Sequence, residues 1–190
     1  MKTSHIVSLS ASVLLVGGLA AAGISAELSA QHDREGTVRD IVAAVAPGSD
    51  TAGIDVHGRP LFLSDKGTVS TAYVNVTADE KNSQWIIQDY RDKVIGLLDI
   101  IVPVTLPGGP AAQPAPVPDT TDGSFTDRGR FNGAEVVYAA TLDGGVLTVT
   151  ADGVPVATVD LPGVTTADTL HTYVGEGGVS VNLQARHLTV

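Results

Sequence analysis

Residues 68–77 alternate. Ala72, Val74 and Val76 fall on one side of a two-residue period, and Thr71, Tyr73 and Asn75 on the other. That pattern predicts a strand with one buried face. Residues 27–46 follow a different period. Leu28, Val38, Ile41, Val42 and Val45 recur near helical spacing between charged positions, and Pro47-Gly48 closes the segment. Residues 53–57 and 61–63 read as two short strands around a turn at Gly58-Arg59-Pro60. Over residues 79–99 the period reads as helical again. Trp85, Ile86, Tyr90, Val94, Leu97 and Leu98 share one face, and Asp79 and Glu80 sit favourably near the N-terminus.

Residues 100–106 (IIVPVTL) return to a strand pattern, with Pro103 marking an edge or a bulge. Residues 107–123 (PGGPAAQPAPVPDTTDG) are proline-rich and carry little that could enter a core, which predicts a mobile loop. From Arg130 onward the chain reads as a meander. Turns are predicted at Asp143-Gly-Gly145, Asp152-Gly153 and Glu176-Gly-Gly178. The last run keeps Val179, Val181, Leu183 and Ala185 on one side, then changes parity to Leu188 and Val190. A strand changes faces this way through an extra residue, so a bulge is expected at residues 185–187.

Composition narrows the function classes. The chain has 190 residues and is 43% hydrophobic but only 4% aromatic, so its core is aliphatic. The formal net charge is −10 and the isoelectric point about 4.6. That argues against nucleic acid and against purely electrostatic adhesion to an anionic bilayer. There is no cysteine, hence no disulfide framework and no thiolate site. Residues 6–26 carry no charge and follow Lys2. Residues 1–26 are therefore read as a cleavable signal peptide or as an uncleaved membrane anchor. Residues 27–190 are one domain, interrupted by the loop at 107–123.

No motif brings catalytic groups together. The five histidines, His5, His32, His57, His171 and His187, lie in no metal-ligand spacing. There is no nucleophile elbow, no phosphate-cradling glycine loop and no zinc-protease motif. Residues 119–123 (DTTDG) lack calcium-loop spacing and read as linker. Asn75-Val-Thr77 fits a glycosylation pattern that short sequences match by chance. The Trp85/Tyr90 stripe is read as plain core or as the lining of an apolar groove.

The uncharged N-terminal run, the helix after it and residues 54–63 (IDVHGRPLFL) together resemble the LmeA-like phospholipid-binding family of the actinobacterial cell envelope. Gly58, Pro60, Phe62, Leu63 and Gly67 match that family's pattern, and Arg59 stands where an aromatic is commoner. Residues 177–190 (GGVSVNLQARHLTV) look like its closing strand. The resemblance implies an α+β fold: a curved antiparallel sheet, a β-meander, packed on one or two helices behind an N-terminal export or anchor helix. It implies a non-enzymatic, exported envelope protein that holds phospholipid acyl chains in an apolar groove, without cofactor, metal or nucleic acid. Leu61, Phe62, Leu63, Trp85, Ile86 and Tyr90 are the lipid-binding candidates. Residues 61–63 form the lip of that groove or a plug closing a filled core. The alternative is an exported structural or adhesive β-rich surface module that binds another protein. A continuous apolar cavity separates the first reading from the second.

Overall fold

The computed structural model describes residues 4–58, 60–78, 81–109, 112–118, 125–161 and 163–190. The side chains of residues 4–22, 125 and 126 lie outside that description, as do Arg59, Asp79, Glu80 and residues 119–124. The architecture is one long helix and two antiparallel sheets. The helix α1 (Ser4–Val45) joins the uncharged run and the amphipathic stretch without a break. Among the described residues no helix is long and apolar enough to cross a membrane.

The first sheet orders its strands β1-β2-β3-β4-β11-β10. They are β1 (Asp50–His57), β2 (Val69–Ala78), β3 (Lys81–Tyr90), β4 (Val94–Val104), β10 (Thr169–Gly175) and β11 (Gly178–Thr189). The second sheet orders β5 (Ala115–Pro118), β6 (Phe125–Phe131), β7 (Ala134–Asp143), β8 (Val146–Ala151) and β9 (Val154–Asp160) in sequence. One core joins them. Val38, Ile41, Val42 and Val45 of α1 bury against the first sheet's Ala72, Val74, Ile87, Leu98, Ile100 and Leu183. Leu147 and Val149 of β8, with Leu161 and Val164, belong to the same cluster. Gly163 donates its N–H to the Val45 carbonyl at 2.7 Å, which seats the segment after β9 on the end of α1.

Several expectations are corrected. Residues 79–99 are not helical, because β3 and β4 form a hairpin there. Asp92 and Lys93 both take positive φ at its turn (51° and 64°), and Arg91 and Val94 exchange backbone hydrogen bonds across it. The apolar positions that fit a helical face also fit alternation. Trp85 and Ile87 point into the core while Ile86 lies on the other face. Residues 61–63 are a 3-10 turn (Leu61–Leu63), not a strand. The proline-rich segment contains β5, whose prolines lie on a sheet edge where a missing N–H costs nothing. Leu106 and Pro114 nearby are buried. Pro103 sits in an interior strand, but beyond the last β3–β4 pair, Gln84↔Ile101, so its environment is locally that of an edge.

The parity change at residues 185–187 is present, with no extra residue. Arg186↔Leu97 and Leu188↔Ile95 keep one register. His187 instead takes φ 52°. The same change runs across the sheet. Core-facing positions step from Val69 to Ala72 in β2, from Ile95 to Leu98 in β4 and from buried Ala185 to half-buried Leu188 in β11. On β3, Asp89 takes φ 53° in the same row. These four strands break at one row, so no register shift is needed. Gly96 lies between the two left-handed residues, and a Cβ there would come within 2.8 Å of the Asp89 Cβ.

Candidate functional site

The sequence's apolar knot is held by α1. A short 3-10 turn leaves N–H groups unpaired at its start and carbonyls unpaired at its end. Glu27 Oε1 accepts the Leu61 N–H at 3.0 Å, and Glu27 Oε2 accepts the Phe62 N–H at 3.2 Å. Two helical turns further on, Arg34 Nη2 donates to the carbonyls of Ser64 and Asp65. Arg34 is 3% exposed, the only buried cation among the described residues. The helix stripe therefore changes chemistry along its length. Glu27 and Arg34 face the turn, and Val38, Ile41, Val42 and Val45 face the core.

Held this way, the knot presents apolar surface. Phe62 is 47% and Leu63 71% exposed, while Leu61 is half-buried. Ile24 and Leu28, one turn apart on the adjoining stretch of α1, are 64% and 62% exposed. A cleft of about 630 Å3 lies beside them, lined by Glu27, Gln31, Val56, His57, Pro60, Leu61 and Phe62. His57 Nε2 lies 2.9 Å from Asp55 Oδ2, and its ring meets Tyr73 edge-on at 5.5 Å.

The other three candidates sit elsewhere. Trp85 is fully buried in the first sheet's core, and its Nε1–H donates to Ser83 Oγ at 2.8 Å. Ile86 lies on the opposite face of β3. Tyr90 is half-buried and pairs with Val69, at the end of the sheet nearer the knot. Trp85 thus packs the core rather than a surface beside the 61–63 turn.

An apolar cavity lies in the second sheet, where no candidate residue was placed. It measures about 300 Å3 and is lined mainly by Leu106, Pro107, Phe131, Val136 and Val156, with Tyr138 and Asp152. Burial pushes the Tyr138 phenol above the ordinary tyrosine value, and the Asp152 carboxylate adds to the rise. Asp152 Oδ1 also accepts the Val137 N–H at 2.9 Å. The cavity has an apolar body and one polar end, an arrangement that suits a chain carrying a polar group. Sequence reading missed these residues because they come from three separate stretches, one of them the proline-rich segment.

No group of acidic or histidine side chains among the described residues is placed to hold a metal ion. Comparison with family models, curated proteins and solved structures finds no match.

Proposed function

We propose that the chain is an exported, non-enzymatic envelope protein that binds the acyl chain of a phospholipid or related lipid. The observation that carries this reading is the apolar cavity of about 300 Å3 that Leu106, Pro107 and Ala112 form with the second sheet. That volume is at the lower end of the range for ligand pockets and suits one hydrocarbon chain rather than a whole lipid. The LmeA-like resemblance and the uncharged residues 6–26 support the same reading. The lipid site moves accordingly, from the Trp85 stripe to Phe131, Val136 and Val156.

Native mass spectrometry of the full chain purified from membranes tests this. A bound acyl lipid is expected, and its occupancy should fall in Val156→Trp, which fills the cavity. Recovery of bare protein alone, from membranes and after incubation with phosphatidylcholine, would end the reading.

A second reading, a module that binds another protein, has one observation in its favour. The outer face of the second sheet carries Thr141, Thr148 and Thr158 in one row across three strands, with Ala139, Thr150 and Pro155 in the next. These six positions carry no charge, in a chain whose net charge is −10. Thr148→Arg should abolish association on this reading and leave lipid occupancy unchanged on the first.

A further inference from the structure

Of the nine large hydrophobic side chains exposed among the described residues, four gather where the 3-10 turn meets α1: Ile24, Leu28, Phe62 and Leu63. Their exposure is enforced. Glu27 fixes the N–H groups at one end of the turn and Arg34 the carbonyls at the other, so the turn cannot roll its side chains inward. The four also lie at a particular point along the helix. Towards the C-terminus α1 enters the core at Val38, and towards the N-terminus it continues into the uncharged residues 6–26. An apolar patch held outward beside an uncharged helical segment fits a lipid surface as its partner.

We infer that this patch is a membrane contact: Phe62 and Leu63 enter the boundary between headgroups and acyl chains, with Ile24 and Leu28 beside them. The inference rests on the envelope reading above but not on the cavity. It assigns the knot to the bilayer surface rather than to the groove that holds a lipid. Charge decides what kind of surface. The chain carries −10 overall, and beside the turn His57 and Arg91 are each set against an aspartate, Asp55 and Asp65, so an anionic headgroup is not what draws it. The contact is apolar, should form on zwitterionic vesicles and should depend little on salt.

The chain has no cysteine, so a single one reports its own position. Leu63→Cys carries an environment-sensitive dye in the full chain reconstituted with phosphatidylcholine vesicles. Val154→Cys, 63% exposed on the second sheet, is the control. The expected result is blue-shifted emission at position 63, quenched by spin-labelled lipid, with no quenching at 154. Phe62→Ser combined with Leu63→Ser should weaken vesicle partitioning at least about tenfold, from the apolar area removed. A dye at 63 that stays as wet as the one at 154 overturns the inference, and so does equal quenching at both positions. The two proposals fail separately. Co-purified lipid with a wet position 63 ends the docking and leaves the lipid reading standing, whereas a quenched position 63 on protein that never carries lipid does the reverse.

Discussion

Glu27 and Arg34 lie two turns apart on one face of α1 and grip opposite ends of the Leu61–Leu63 turn. The carboxylate meets the N–H end and the guanidinium meets the carbonyl end. Each charge opposes the partial charge of the end it touches, as a cap within a helix would. The side chains that elsewhere terminate a helix here come from a neighbouring one. The cost of exposing Phe62 and Leu63 is thus offset by charge-assisted hydrogen bonds from residues that sit far away in sequence.

Removing either partner should loosen the turn. Arg34→Ala loses two charge-assisted bonds from a buried group and should cost about 2–3 kcal/mol in urea unfolding. Glu27 is half-buried, so Glu27→Ala should cost less, about 1 kcal/mol. Amide exchange separates this effect from general destabilisation. Leu61 and Phe62 should lose protection in Glu27→Ala while Ile87 keeps its own. Unchanged exchange at both turn amides would show that the carboxylate does not hold them.

The shared parity change across the first sheet gives a coupled prediction. Gly96→Ala places a Cβ 2.8 Å from that of Asp89, and should cost about 1–3 kcal/mol. Asp89→Gly removes the opposing carbon and suits the φ of 53°, so alone it should be nearly neutral. In the double variant the next neighbours are backbone oxygens at 3.3 and 3.4 Å. The Gly96→Ala penalty should therefore shrink by about 1 kcal/mol or more in a double-mutant cycle. Additive penalties would mean that the two residues do not meet.

What the sequence made legible follows from how local each signal is. The strand over Ala72, Val74 and Val76, the helix end at Pro47-Gly48 and the Asp152-Gly153 turn all rest on adjacent residues, and all are present. The β3–β4 hairpin was misread because its turn is Asp92-Lys93. Lysine is a poor marker of positive φ, and the strands on either side carry apolar residues on both faces. The parity change in β11 was visible as a pattern. Its mechanism was not, because a kink shared by four strands appears only once their register is known. The Glu27/Arg34 grip and the apolar cavity were illegible for the same reason: their partners are joined by topology alone.

Tyr138 makes stability fall at high pH. Burial first, then Asp152, raises its phenol above the ordinary tyrosine value. Its folded form therefore holds a proton that the unfolded chain would release. The stabilisation is full below the unfolded pKa, about 10, and is lost as pH rises through the folded one. Tyr138→Phe should flatten this alkaline loss. Asp152→Asn should move the phenol back only in part, because burial is the larger cause. Ultraviolet titration of tyrosinate, differenced against Tyr138→Phe, reads the shift. A Tyr138 that titrates at the ordinary tyrosine value would refute it.

The end of α1 is tightly packed against the segment after β9. The Val45 carbonyl belongs to the last turn, where no helical donor remains. It accepts the Gly163 N–H at 2.7 Å instead, and Leu161 and Val164 on either side are buried. That approach leaves no room for a side chain. A Cβ at Gly163 would fall 2.1 Å from the Val45 oxygen and 2.5 Å from its Cα, both backbone atoms that cannot rotate away. Gly163→Ala must therefore push the segment off the helix, which unpairs the carbonyl and draws Val164 out of the core. The expected cost is about 2–4 kcal/mol, read as a lower urea midpoint at unchanged slope. Gly175→Ala is the control, since nothing lies within 4 Å of its Cβ position, and its stability should stay within about 0.5 kcal/mol of the parent's. If the two alanine variants unfold at the same midpoint, the segment after β9 does not cap α1 in solution.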